Sequence, residues 1–229
     1  MKKQLFCLPY TGGNAASFDT LKPYLSNDTE LISIEYAGHG IRLSEPFYSS
    51  FDEMVKDSAD RINMMITSDE IALFGYSMGS IVAYEILKNN YLDVKPAKLF
   101  LASHEAPGEI WRSRAYPSLS DNELFDVLTS FGGLKEQDRS MLDSKYFRMM
   151  LFDIIRADYS LMSGYRYNEA EKPDTPALLM FSDNDLPRSE AYKWSNYLSG
   201  DIEYFEIGEN HFFINSMPER VAELINNRL

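Results

Sequence analysis

The sequence predicts an α/β fold, with a mostly parallel central sheet, helices on both faces and a helical insertion. Three observations carry that expectation. Short apolar, strand-like runs alternate with amphipathic stretches along the chain. One such run, Ile71-Ala72-Leu73-Phe74, passes through a glycine-flanked serine straight into a helical pattern. From about 108 to 168 the alternation stops, with no convincing strand.

In order, the strand candidates are Leu5–Leu8, Leu31–Glu35, Ile71–Phe74, Lys98–Ala102, Ala177–Phe181 and Ile202–Phe205. Helical stretches lie between them near Ala16–Leu25, Phe51–Ile66, Met78–Lys88, Glu190–Tyr197 and Pro218–Arg228. Strands separated by helices return to the sheet by right-handed crossovers, which gives parallel pairing with both faces covered. Within the insertion, Ser120 and Glu123 form a capping-box pair ahead of Leu124–Leu128, and Gly132-Gly133 should end that helix. The stretch Lys145–Met162 is crowded with aromatic and aliphatic residues. Two readings of it stay open: packing of the insertion onto the main body, or a lid whose inner face lines an acyl tunnel. The length suits one domain, 1–229, with the lid insertion at about 108–168.

Composition excludes several function classes. The formal net charge of −13 repels polyanions, and no basic run interleaves with aromatics, so no nucleic-acid partner is expected. Nothing approaches the roughly 18 consecutive apolar residues of a membrane helix. The N-terminal apolar stretch stops at Pro9, too short for a secretory signal, so a cytoplasmic protein is expected. Cys7 is the only cysteine and lies in the apolar first strand, where a buried, inert thiol is expected. One cysteine and three scattered histidines make no zinc site, and no metal is expected.

The chemistry centres on Gly75-Tyr76-Ser77-Met78-Gly79. A G-x-S-x-G run between a strand and a helix is the nucleophile elbow of α/β-hydrolases. The turn leaves little room, so small residues flank the serine, and the following helix aims its N-terminus at the site. A serine hydroxyl needs a base to attack near neutral pH. The hydrolase chain order is serine, acid, histidine. Of His39, His104 and His211, only His211 sits in the loop after the last strand; His39 and His104 are read as structural, His104 near the sheet edge. The acid belongs after Ala177–Phe181, where Asp183 and Asp185 are available. Asp183 suits turn chemistry and Asp185 lies deeper in the loop, so Asp185 is preferred. The oxyanion donors are expected to be the backbone N–H groups of Met78 and, from the Gly12-Gly13 loop, Thr11.

With Pro9-Tyr10-Thr11-Gly12-Gly13, Gly38-His39-Gly40-Ile41-Arg42 with Glu45-Pro46, and Gly208-Glu209-Asn210-His211 beside the elbow, the chain resembles, nearly end to end, the type II thioesterases that serve nonribosomal peptide and polyketide synthases. The resemblance continues through Phe131-Gly132-Gly133, Arg156-Ala157-Asp158-Tyr159, Tyr165-Arg166-Tyr167 and Phe212-Phe213. It departs at Thr11, Ala37, Ser182 and Asn210, where alanine, proline, glycine and glycine are common. The resemblance implies hydrolysis of acyl thioesters from the phosphopantetheine arm of acyl- or peptidyl-carrier proteins, removing aberrant or stalled chains. It also implies a triad of Ser77, Asp185 and His211, a mobile lid, and no cofactor beyond the pantetheine that arrives with the substrate. A monomer is expected.

Two competing readings are a free esterase or acyltransferase of the same fold, and a non-catalytic hydrolase-fold binding protein. Carrier proteins are often acidic, which sits badly with a charge of −13. Arg112, Arg114, Lys145, Arg148, Arg156 and Arg166 concentrate in the insertion, either as a local dock or as a solvated face of paired charges.

Overall fold

A computed structural model describes residues 2–109 and 112–229, with backbone only at 112–114. Six strands form one parallel sheet in the order β2-β1-β3-β4-β5-β6. They are β1 (Lys3–Leu8), β2 (Thr29–Ser33), β3 (Ile71–Tyr76), β4 (Lys98–Ala102), β5 (Ala177–Phe181) and β6 (Ile202–Glu206). Along β1, successive side chains face opposite ways. Phe6 and Leu8 join the core beneath α1 (Phe51–Met65) and α2 (Met78–Lys88). Leu5 and Cys7 join a second core with Phe18, Phe213 and Val221 on the other face. Burial pushes the Cys7 thiol well up, which keeps it protonated and inert.

The six expected strands are all present, β4 and β5 with the expected bounds and the other four with shifted ends. The second starts two residues earlier than expected, because Thr29 pairs with Lys3 in register and carries the edge strand forward. The expected helix near Ala16–Leu25 is instead a tight 3-10 segment, Ala15–Leu21, started by Asn14, whose side chain accepts from the Ala16 N–H. His104 follows β4, which has two neighbours on one side and three on the other, so it does not lie near the sheet edge.

Between β4 and β5 every regular element among the described residues is helical. The Ser120–Glu123 capping box forms as expected and starts α3 (Asp121–Ser130), and the N–H groups of Gly132 and Gly133 turn back onto Thr129 and Leu128. A π-helical turn, Arg148–Phe152, leads into α4 (Asp153–Gly164). Leu124, Phe125 and Leu128 of α3 pack on Phe152, Ile155 and Tyr159, so the insertion has a core of its own. The chain closes with α5 (Pro218–Asn226), begun by a proline where no N–H is needed. No described helix is long and apolar enough to cross a membrane.

Sheet order decides where a site can form. β1 and β3 are neighbours, and the chain runs to opposite sides of the sheet from them. Crevices open at such switch points, beyond the carboxyl ends of the strands.

Candidate active site

Four loops meet at that crevice. Ser77 follows β3 with φ 52° and ψ −121°, a left-handed conformation that a side chain adopts only under constraint. The constraint is the close approach around the turn. A Cβ on Gly75 would lie 2.3 Å from the Gly79 carbonyl oxygen, and one on Gly79 would lie 2.0 Å from that of Leu8. The Ser77 N–H donates to the Ala102 carbonyl at 2.7 Å, which pins the elbow to β4. The hydroxyl of Ser80 donates to the carbonyl of Gly75 at 2.8 Å, from inside the turn.

The structure brings the three expected side chains together. Ser77 Oγ lies 3.1 Å from His211 Nε2, and His211 Nδ1 lies 2.8 Å from Asp185 Oδ2. A carboxylate oxygen only accepts, so Nδ1 carries the proton and Nε2 is free to take one from the serine. Asp183 does the turn work expected of it, its Oδ1 accepting from the Arg188 N–H at 2.7 Å. The loop bearing His211 is fixed from beneath. Its carbonyl accepts from Tyr76 Oη at 2.6 Å and from Ser103 Oγ at 3.2 Å. Asn210, where glycine is common in similar chains, closes a turn by accepting from the Phe212 N–H at 2.9 Å.

Thr11 and Ser77 border one small cavity, of about 60 Å³, together with Tyr116, Phe131, Tyr159 and Met162. Met78 is the first residue of α2, so its N–H stands at the positive end of the helix, beside the nucleophile. Tyr159 and Met162 come from the crowded stretch of the insertion. That stretch therefore both packs and lines the site. His104 borders the cavity as well; burial lowers its basicity, and its Nδ1 faces the Glu105 carbonyl at 2.9 Å.

Two contacts escaped the sequence reading. The Phe131 ring stacks on the His211 ring, with centroids 5.2 Å apart and planes 30° apart. Phe131 lies where α3 ends, and the paired glycines after it were the only local signal. The second is a buried pair, His39 Nε2 to Asp158 Oδ2 at 3.1 Å, with the Gly12 N–H donating to the same oxygen at 2.7 Å. His39 and Asp158 lie more than a hundred residues apart, and no spacing rule joins them.

Of the described basic residues of the insertion, Arg156 and Arg148 pair with the Asp121 carboxylate, whereas Arg166 meets backbone carbonyls and Lys145 has no ion pair among the described residues. Arg156 donates to Asp121 at 2.8 Å and to the Leu119 carbonyl at 2.5 Å. Arg148 donates to the Leu142 carbonyl, and Arg166 to those of Ser163 and Tyr165. The side chains of Arg112 and Arg114 lie outside the described residues. Among the described residues, no three His, Cys, Asp or Glu side chains form a metal-holding group.

Comparison with known proteins gives the family. The family model described as a thioesterase domain matches residues 3–229. The linear gramicidin dehydrogenase LgrE of Brevibacillus parabrevis is 25% identical over 230 residues, 98% of this chain and 87% of the relative. The thioesterase PikA5 of Streptomyces venezuelae is 26% identical over 231 residues, 99% of this chain and 80% of the relative. Among solved structures, the RedJ thioesterase from the prodiginine pathway of Streptomyces coelicolor superposes with a TM-score of 0.88 at 27% identity. That match covers 99% of this chain and 85% of the other.

Proposed function

The chain belongs to the thioesterase family, and from that premise we propose that it is a type II, editing thioesterase. It clears aberrant or stalled acyl groups from the phosphopantetheine arm of acyl- or peptidyl-carrier proteins in nonribosomal peptide or polyketide synthesis. The observation that carries this reading is the hydrogen-bonded relay Ser77–His211–Asp185, set beside Thr11 in one cavity.

In the proposed cycle Ser77 Oγ bonds to the thioester carbonyl carbon while His211 Nε2 takes the hydroxyl proton. The N–H groups of Thr11 and Met78 hold the oxyanion. Asp185 keeps the imidazole tautomer and supports the imidazolium without taking the proton. The C–S bond then breaks, and His211 returns the proton to the leaving thiolate. A thiol of pKa about 8.5 departs with less acid assistance than an amine requires. Water, deprotonated by the same His211, attacks the acyl-enzyme and frees the acid and Ser77. The protein supplies no cofactor, because pantetheine enters with the substrate. The insertion serves as the lid over the pantetheine entrance, in a cytoplasmic monomer. One relative is named a dehydrogenase, but a serine–histidine–aspartate relay transfers acyl groups and not hydride.

Intact-mass analysis of acyl-loaded carrier protein tests the reading. Wild type should strip the acyl group and Ser77→Ala should not. A Ser77→Ala variant hydrolysing at the wild-type rate overturns the assignment. Rapid turnover of simple esters with the carrier left loaded moves the chain to the esterase reading instead.

A further inference from the structure

The relay does not account for the His39–Asp158 pair, although the pair is among the most deeply enclosed polar groups of the molecule. His39 is 2% exposed and Asp158 1%. They join three segments that meet nowhere else in sequence: the Gly38-His39-Gly40 loop after β2, the Gly12 loop after β1, and α4 of the insertion. We propose that Asp158 is a positioning residue for the oxyanion hole, holding the Gly12 peptide in place only while α4 is seated and His39 is protonated. This deepens the proposed function and rests on the assignment of Thr11 and Met78 as donors.

The geometry supports each part. Gly12 follows Thr11 directly, so whatever fixes the Gly12 N–H fixes the peptide plane next to the Thr11 donor. Asp158 Oδ2 accepts that N–H at 2.7 Å. The same helix presses Ile155 onto the loop so closely that a Cβ on Gly12 would come within 2.5 Å of Ile155 Cγ1. Lifting α4 therefore removes the anchor and the packing together. On the other side, His39 Nδ1 lies 3.0 Å from the Ala37 carbonyl, an oxygen that only accepts, so Nδ1 carries a proton. Nε2 lies 3.1 Å from Oδ2, which already accepts from Gly12, so a second proton must lie between them. Burial pulls the basicity of His39 down, but the hydrogen bond and charge of Asp158 outweigh it and raise it above the ordinary histidine value. The other titratable groups near the pair are Glu35, whose charge also favours the imidazolium, Tyr36, whose ring packs edge-on to His39 at 5.8 Å, and Tyr159, whose phenol the Asp158 charge helps keep protonated.

Loss of the His39 proton leaves two lone pairs opposed across Nε2 and Oδ2, in a site closed to water. Because the folded-state basicity is raised, the anchor is intact below the ordinary histidine range. It fails as pH rises through the higher folded-state value. The oxyanion hole is thus complete only with the lid helix down, so the hydrolytic step is tied to closure over a bound acyl group.

The test measures kcat, KM and the affinity for an alkyl trifluoromethyl ketone, whose serine adduct carries an oxyanion. Asp158→Asn removes the charge that keeps His39 protonated, so an amide oxygen accepting from Gly12 would face the bare lone pair of a neutral Nε2; it should lower kcat by about 10- to 100-fold with KM within about threefold. Affinity for the ketone should fall by the same factor. His39→Ala should behave alike. His39→Gln, whose amide can donate to Oδ2 but does not titrate, should restore the rate relative to His39→Ala and flatten the alkaline fall. Wild-type kcat and ketone affinity in Asp158→Asn overturn the proposal, as do losses matched by an equal loss of folded protein in thermal melts. An alkaline fall in His39→Gln identical to wild type overturns the role of the imidazolium. Ser77→Ala runs in parallel: if it stays active, the site assignment itself has failed, whatever Asp158→Asn does.

Discussion

Replacing Gly79 by alanine should damage stability and rate together, through a contact the structure specifies. The new Cβ would stand 2.0 Å from the Leu8 carbonyl oxygen and 2.6 Å from its carbon. Carbon-to-oxygen contacts begin near about 3.3 Å, so one group must move by more than about 1 Å. Neither can swing aside. Gly79 is in the first turn of α2, and Leu8 is locked on β1, paired with Gly75 of β3. Overpacking of this kind costs about 3 kcal/mol, which in a domain of this size lowers Tm by about 6–12 °C. The displaced Leu8 carbonyl also lies at the root of the loop carrying Thr11, and an ångström of misplacement there should cost about 100-fold in kcat. Thermal melts and single-turnover hydrolysis of an acyl-carrier substrate read the two effects. Gly164→Ala is the control, since nothing lies within 4 Å of its Cβ, and it should hold or raise Tm. A Gly79→Ala variant with wild-type Tm and rate would refute the packing argument.

Four further outcomes follow from other contacts. Phe131→Ala removes the ring stacked on His211, and with it about 0.5–2 kcal/mol of support for the imidazolium, so kcat/KM should fall about 2- to 30-fold without a matching loss of Tm. Lys88→Met strands Glu85, buried with Lys88 at 2.7 Å and the Tyr165 hydroxyl at 2.6 Å; it should cost about 3–5 kcal/mol in denaturant melts, and adding Glu85→Leu should recover part of that. Burial works against the Asp57 carboxylate, yet hydrogen bonds from Arg42, Tyr48 and Arg61 hold it below the ordinary carboxylate range. Its contribution is therefore present above about pH 4 and lost as pH falls through the lower folded value, so the stability gap between wild type and Asp57→Asn should close on acidification. Ser77→Gly should raise Tm by relieving φ 52° while abolishing hydrolysis, whereas Ser77→Ala keeps the backbone constraint and should not.

How much was legible in the sequence depended on how local the cause was. β4 and β5 were read to the residue, because central strands buried on both faces are unbroken apolar runs. Edge strand β2 was misplaced by two residues, since its half-exposed side chains blur where pairing begins. Ser77 and His211 were readable because elbow geometry and chain order are tied to strand ends. The choice of Asp185 over Asp183 needed only the difference between a side chain that serves its own turn and one deeper in the loop. The helix near Ala16–Leu25 failed because Lys22-Pro23 ends it early, as a tight turn rather than a full helix. Phe131 over His211 and Asp158 under Gly12 were out of reach, since both depend on how the insertion folds back across the sheet.

Each group of the proposed site follows the far end of a different strand: Thr11 after β1, Ser77 after β3, Asp185 after β5 and His211 after β6. Ser77 and His211 are 134 residues apart in sequence, and His211 reaches the serine only across the finished sheet. Asp185 and His211 follow neighbouring strands, 26 residues apart, but Ser77 joins them only when β3 and β6 belong to one sheet. Long-range closures of this kind form late, after local helices and neighbouring strands. The hydrolytic site therefore works as a completion signal for the whole molecule. On the proposed function, a copy whose sheet is unfinished lacks the Ser77–His211 contact and should not hydrolyse an acyl thioester.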